Sequence, residues 1–298
     1  MGRTPVILCV ALAAAASAVA PAPTVTIAKG VELPYVALGT GSGQHGSVAN
    51  ATALWLEKSA GEAIDTSIIY RDQREIAAGL EAAGKARGDY FLETKIVTAD
   101  SRFVNYSSVG AEVDACLEEL GVAFVDLVLI HFPSTKEANA EAWAALEAAL
   151  AAGKTRAIGV SNFGVEDLVA LKAGATVWPP AVNQLELSVS YHDDALLAHN
   201  AQEGIVVQAY SPLCGGFNGS SCTSHGGKNV LTVPEVKALA AKYDVSAAQI
   251  GLKWIVQQGY PLATSIWNVA YMDEDLSLWN FTIADADMAT LAAVYKPE

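Results

Sequence analysis

Four ionisable side chains lie at or just past the ends of apolar runs. They are Asp65 in Ala-Ile-Asp-Thr-Ser, Tyr70 five residues on, Lys95 in Phe-Leu-Glu-Thr-Lys-Ile and His131 in Leu-Val-Leu-Ile-His-Phe-Pro. Each run reads as a buried strand, so these groups stand at the mouth of a core. Such a set suits proton delivery. A phenol has an unperturbed pKa of about 10, too high for efficient work near neutrality. A neighbouring ammonium is expected to lower it. The aspartate would keep the lysine charged and in place, and the histidine would donate a hydrogen bond to a substrate oxygen.

The elements that must position these groups alternate. Strand cores are expected at 36–38, 63–66, 90–94, 125–130, 155–160, 181–187, 205–209 and 262–266. Helical patterns fall at 48–58, 73–86, 107–120, 137–151, 165–172, 194–202, 245–258 and 283–294, with one extra helix at 233–242. A short hairpin at 24–27 and 31–34 precedes them. Strands that are apolar throughout, each followed by a helix, argue for a parallel sheet covered by helices. Eight such units fit in roughly 250 residues as one closed barrel. The expected fold is α/β, a (β/α)8 TIM barrel with a short N-terminal β-hairpin. The longest irregular piece, 211–232, is marked as functional by its length.

Residues 1–20 read as a signal peptide and 21–298 as the barrel domain. Met1-Gly2-Arg3 is followed by an apolar stretch that ends in Ala16-Ser17-Ala18-Val19-Ala20, the pattern of a cleavable secretory leader. The secretory pathway is therefore the expected location. The same junction also resembles plastid-targeting presequences of algae with secondary plastids, which is the second reading. Sequons at Asn50, Asn105, Asn218 and Asn280 agree with export. Cys214 and Cys222, eight apart in a Gly/Ser-rich loop, could form a disulfide or remain two reduced thiols; Cys116 reads as a buried thiol. The formal net charge of the 298 residues is -14, with only 18 Lys and Arg. That charge repels nucleic acid and anionic membranes.

One motif competes. Gly41-Ser42-Gly43-Gln44-His45-Gly46 matches G-x-G-x-x-G between a strand and a helix, with Asp65 placed as a ribose-binding acid. A Rossmann-type dehydrogenase on this motif would leave Tyr70, Lys95 and His131 without roles.

The chain resembles the aldo-keto reductases from about Val25 onward. The resemblance rests on Leu-Gly-Thr-Gly (38–41), Asp-Thr-Ser-Ile-Ile-Tyr (65–70), Glu-Thr-Lys (93–95) and Leu-Ile-His-Phe-Pro (129–133). More specific still are Gly-Lys-Thr-Arg-Ala-Ile-Gly-Val-Ser-Asn-Phe (153–163), Val-Asn-Gln-Leu-Glu (182–186) and Ala-Tyr-Ser-Pro-Leu (209–213). It implies NAD(P)H-dependent reduction of an aldehyde or ketone, with Asp65, Tyr70, Lys95 and His131 as the catalytic tetrad. It also implies that Thr40, Asp65, Ser161, Asn162, Gln184, Tyr210, Ser211, Leu213, Thr264 and Ser265 bind NADP(H) or NAD(H). In that scheme Ser161, Asn162 and Gln184 hold the nicotinamide carboxamide, Tyr210 stacks on the ring, and Ser211 and Leu213 cover the pyrophosphate. Gly41 and Phe132 stand where the family often has Trp, so the substrate pocket should be wider and less aromatic. The family meets the 2′-phosphate of NADP with a lysine and an arginine. Here Thr264 and Ala270 or Tyr271 stand there, followed by Asp273, Glu274 and Asp275, which puts NADP preference in doubt. Lys228 in the long loop is the other cation that could serve. The expected partner is a small carbonyl substrate, with no metal and a monomeric state. A cofactor-binding sensor or interaction module with little turnover is the alternative function.

Overall fold

The computed structural model describes residues 23–41, 46–58, 62–98, 108–214, 222, 226–265 and 268–296. The expected leader, the sequons at Asn105 and Asn218, and positions 42–45 of the glycine-rich run lie outside the described residues.

Strands β1 (Thr24–Ala28) and β2 (Val31–Pro34) pair antiparallel as a separate sheet. The next eight strands are β3 (Val36–Gly39), β4 (Ala63–Asp65), β5 (Phe91–Ile96), β6 (Val125–Ile130), β7 (Thr155–Ser161), β8 (Val182–Glu186), β9 (Val206–Tyr210) and β10 (Leu262–Thr264). They close in sequence order into a parallel barrel, with β10 bonded to both β3 and β9. The expected barrel and hairpin are both present. The Rossmann alternative fails here, because its dinucleotide crevice needs an open sheet with a reversal in strand order.

The helices are α1 (Val48–Glu57), α2 (Gln73–Ala83), α3 (Val109–Leu120), α4 (Lys136–Ala151), α5 (Val165–Lys172), α6 (Asp194–Glu203), α7 (Pro234–Tyr243), α8 (Ala247–Gln257), α9 (Val269–Leu276) and α10 (Asp285–Ala292). Their starts follow capping chemistry. Ser47, Ser108, Thr135 and Asp193 each accept a backbone N–H three residues on. Ser246 and Gln249 form a reciprocal capping box, so α8 opens later than the apolar pattern from 245 suggested. Helix α2 stops at Gly84, whose φ of 63° is costly for a side chain bearing Cβ. Helix α9 was not foreseen. Its residues Asp273, Glu274 and Asp275 mask its periodicity, and its start is fixed by Asn268, which accepts from Ala270 N–H.

Two apolar layers hold the barrel. The outer one lies between strands and helices and includes Trp55, Ile76, Leu92, Trp143 and Ile158. Burying each such side chain contributes about 1.5–3 kcal/mol. The inner layer fills the barrel with Ala37, Ala63, Phe91, Leu127, Leu129, Ala157 and Val182. Val31 and Leu33 of the hairpin join that inner cluster. The hairpin therefore plugs the N-terminal end of the barrel, and the C-terminal ends of the strands remain as its mouth.

Candidate active site

All four expected catalytic residues meet at that mouth. Asp65 is the last residue of β4. Tyr70 ends a 3₁₀ turn, Ile68–Tyr70, that starts three residues later and stops where Arg71 takes a left-handed φ of 61°. Lys95 lies on β5, and His131 follows β6 with its N–H bonded to Ile96 O at 2.8 Å.

Lys95 is fully buried and its ammonium donates to Asp65 Oδ1; it also donates to Thr66 O at 3.1 Å. That ammonium lies 5.4 Å from the centre of the Tyr70 ring. The Tyr70 hydroxyl is 3.5 Å from His131 Nε2. His131 is buried, and its Nδ1 is 2.9 Å from the hydroxyl of Ser67. Ser67 also reaches Lys95 O at 3.2 Å. A hydroxyl has one proton, so Ser67 either donates to Nδ1 or accepts from it, and this sets whether Nε2 carries hydrogen.

The electrostatics differ from expectation at one point. Burial raises the Tyr70 pKa, and the opposing pull of Lys95 does not cancel it. The sequence places the ammonium but cannot weigh it against desolvation. The outcome is a phenol that keeps its proton near neutrality, as a donor must. Burial, reinforced by Lys95, holds His131 well below the ordinary histidine range, so its imidazole is neutral. Burial alone would lower Lys95, but Asp65, Tyr70 and Glu93 outweigh it and raise its pKa.

The expected cofactor residues continue round the mouth. Ser161 ends β7, Asn162 follows with a φ of 62°, Gln184 lies on β8 and Tyr210 ends β9. The Tyr210 hydroxyl donates to Asn162 Oδ1 at 2.8 Å, and Asn162 Nδ2 donates to His131 O at 2.9 Å and Ser161 Oγ at 3.0 Å. Ser161 donates to Gln184 O at 2.9 Å. Gln184 Nε2 donates to Asp65 Oδ1 at 3.3 Å and to Gln208 Oε1 at 2.8 Å. One hydroxyl, two amides and a half-buried aromatic ring form a continuous arc. That donor set fits a nicotinamide with its carboxamide. Thr40 lies next to it, its N–H and hydroxyl on Asp65 O at 3.0 and 3.3 Å. Ser211, with a φ of 49°, and Leu213 open the loop after β9. Thr264 closes β10 and Ser265 is exposed beside it.

The pocket residues are also at the mouth. Phe132 is 41% exposed and stacks on His131 with ring centres 4.2 Å apart. Gly41 has a second reason to be glycine: a Cβ there would lie 2.5 Å from the Tyr70 ring. Part of the space expected for substrate is thus taken by Tyr70. Sequence reading missed Ser67, Glu93 and Gln208. Alternation along β5, which places Glu93 on the same face as Lys95, was the available signal for Glu93. Cys214 and Cys222, both buried, are joined as a disulfide, and Cys116 on α3 is a buried thiol.

Comparisons with known proteins identify the family. A model described as the aldo/keto reductase family matches residues 39–296. The chain is 35% identical over 265 residues to a morphine 6-dehydrogenase of Pseudomonas putida, covering 88% of each chain. It is 30% identical to a glyoxal reductase of Bacillus subtilis, covering 90% of this chain and 91% of that one. An aldo-keto reductase of Bombyx mori, solved with NADP, superposes with a TM-score of 0.80 at 27% identity over 94% of both chains. With the barrel, the rim and these relatives in agreement, the chain belongs to the aldo/keto reductase family.

Proposed function

We propose that Tyr70 supplies the proton in this chain's reaction, with Lys95, Asp65 and His131 preparing it. The chain is an NAD(P)-dependent oxidoreductase that reduces small carbonyl compounds. When bound, the reduced nicotinamide supplies a hydride. Ser161, Asn162 and Gln184 are the residues to hold its carboxamide, and Tyr210 the one to stack on its ring. Ser211 and Leu213 would cover the pyrophosphate, and Thr264 and Ser265 would meet the adenosine end.

The chain's own chemistry is protonic. A carbonyl oxygen within reach of Tyr70 and His131 takes the phenolic proton as it gains charge. The phenolate left behind is stabilised by Lys95, which Asp65 and Thr66 O hold in place. Neutral His131 donates Nε2–H to the same oxygen when Ser67 donates to Nδ1. Burial strengthens each of these interactions relative to water. The observation that carries this reading is the placing of one hydroxyl, 3.5 Å from His131 Nε2, on a ring centred 5.4 Å from a buried ammonium. Tyr70→Phe should bind cofactor and fold as the wild type does, yet lose carbonyl reduction by roughly 10²–10⁴-fold, the usual worth of acid–base catalysis. Turnover of small aldehydes, ketones and dicarbonyls within about threefold of wild type would remove Tyr70 from this role.

NADPH preference is proposed to be weak. Thr264 and the opening of α9, Ala270 and Tyr271, offer no ammonium or guanidinium. Lys58, which reaches α9, is held by Asp273 at 2.6 Å. The acids of α9 repel less than their number suggests. Asp273 is paired, and burial followed by the charge of Glu274 pushes Asp275 up to about 8. The missing cations therefore decide. Charged hydrogen bonds are worth about 1.5–3 kcal/mol each, so losing two costs roughly 3–6 kcal/mol, or about two to four orders of magnitude in affinity. Dissociation constants for both cofactors test this. An NADPH constant more than about 100-fold tighter than that for NADH would refute it.

Export is proposed as well. A disulfide persists in oxidising compartments, and two of the sequon asparagines, Asn50 and Asn280, are exposed. N-terminal sequencing and glycosidase treatment of protein from its native host decide the matter. An intact Met1 with no mobility shift would rule export out.

A further inference from the structure

The barrel interior below the mouth holds more carboxyl than cation. Parallel register sets Glu93 on β5 directly beside Asp65 on β4. Glu93 is fully buried. Its Oε1 accepts from Gln208 Nε2 at 2.6 Å, and Gln208 in turn accepts from Gln184, which also donates to Asp65. Glu93 Oε2 meets no donor among the described residues. The carboxyl group beside it in the register is that of Asp65. Two carboxylates have only acceptors, so the pair can hydrogen-bond only when one of them carries a proton.

Charge counting says which one. Among the described residues Lys95 is the single cation serving both groups, and a second buried anion beside Asp65 costs more than protonating an acid. Asp65 already accepts from Lys95 and Gln184. Glu93 has one amide donor. The proton belongs on Glu93 Oε2. Burial, then the charge of Asp65, raises the Glu93 pKa well above the carboxylate range, with Lys95 opposing.

We propose that Glu93 is a positioning residue, held as a neutral acid, that donates Oε2–H to Asp65 and so ties the Asp65–Lys95 pair to the Gln208–Gln184 amides. The charged groups that reach it are Asp65 from β4 and Lys95 from β5; Tyr70 and His131 are the other titratable groups of the mouth, and β8 and β9 turn only amides toward it. With Glu93 neutral, Asp65 and Lys95 balance. When Glu93 ionises at high pH, the extra charge makes a phenolate at Tyr70 harder to form, and reduction slows.

The kinetic part of this inference rests on the Tyr70 reading, whereas infrared spectroscopy does not. The difference spectrum between wild type and Glu93→Gln at pH 7 should show the carbonyl stretch of a protonated carboxylic acid, lost in the variant. A carboxylate band lost instead would overturn the proposal. Glu93→Leu strands Gln208 and the second face of Asp65, and should lower kcat by about 10- to 100-fold, the scale known for the outer partners of metal ligands. Glu93→Gln keeps a donor toward Asp65 and an acceptor for Gln208. It should recover most of that loss and flatten the alkaline fall of kcat. A Glu93→Gln variant as impaired as Glu93→Leu, or with an unchanged alkaline limb, would overturn the proposal, as would full activity in Glu93→Leu.

Discussion

At the base of the barrel one carboxylate meets two guanidiniums; at the mouth two carboxyl groups share one ammonium. Asp126, near the start of β6, accepts from Arg87 Nη2 and Arg156 Nη1, each at 2.6 Å, and from Leu92 N–H at 2.9 Å. Arg87 also bonds Phe124 O and Tyr90 O, and Arg156 reaches Gly30 O in the hairpin. Planar guanidinium forks fix direction as well as charge. Every group there has its complement, so the arrangement joins strands and hairpin and has no proton to give. The mouth is undersupplied with positive charge. Its pKa values are displaced upward at Tyr70 and Glu93 and downward at His131. Displaced titrations of this kind mark sites of chemistry more often than sites of support. Saturation separates the two ends more clearly than burial does, since all three carboxyl groups are buried.

This contrast can be broken in order of effect. Asp126→Asn should lower stability by about 3 kcal/mol, because it leaves Arg87 and Arg156 without their anion. Activity per folded molecule should stay at the wild-type level. Denaturation and active-site titration measure the two separately, and a loss of kcat without loss of stability would erase the contrast. Ser67→Ala should do the reverse at the mouth. Removing the partner of His131 Nδ1 frees the tautomer, and kcat should fall about tenfold with little change in melting temperature. Nitrogen NMR of His131 would report the altered tautomer directly.

The last effect is a pH dependence of stability. Glu112 on α3 accepts from Val97 N–H at 2.8 Å, just past Lys95, and burial pushes it up to about 7 against that hydrogen bond. Its folded pKa is raised above the unfolded value, so its contribution is complete below about 4.5 and is lost as pH rises toward 7. Wild type should therefore lose stability relative to Glu112→Gln across that window. Parallel melting curves from pH 4 to 8 would show it; curves that stay parallel would place Glu112 outside this linkage.

Much of this was legible in the sequence, and for a physical reason. Asp65, Lys95 and His131 interrupt or end runs that are otherwise apolar, and such interruptions are costly unless they are used. The alternation of runs also announced the barrel. Ser67 was not legible because its hydroxyl matters only when β6 brings His131 beside it. Alternation put Glu93 on the Lys95 face of β5, but which carboxyl it would meet, like the place of Gln208, depends on register across strands, and single-strand patterns do not carry register. The direction of the Tyr70 shift was misread because it is a contest between burial and Lys95, and only the folded chain sets the burial. Helix α9 was hidden by its acids, of which Asp273 and Asp275 turn out paired and buried.

The hairpin plug described at the base has a consequence for traffic. With Val31 and Leu33 seated among the barrel's inner residues, the base of the barrel is closed among the described residues. Reactants then meet the catalytic groups from the mouth. A molecule held by Ser161 and Gln184, which are 1% and 2% exposed, lies deeper than one resting on Phe132, which is 41% exposed. The deeper guest is then expected to enter first and leave last, an order that product-inhibition patterns would reveal. A filled and plugged barrel thus turns a difference in depth at the rim into a sequence of events.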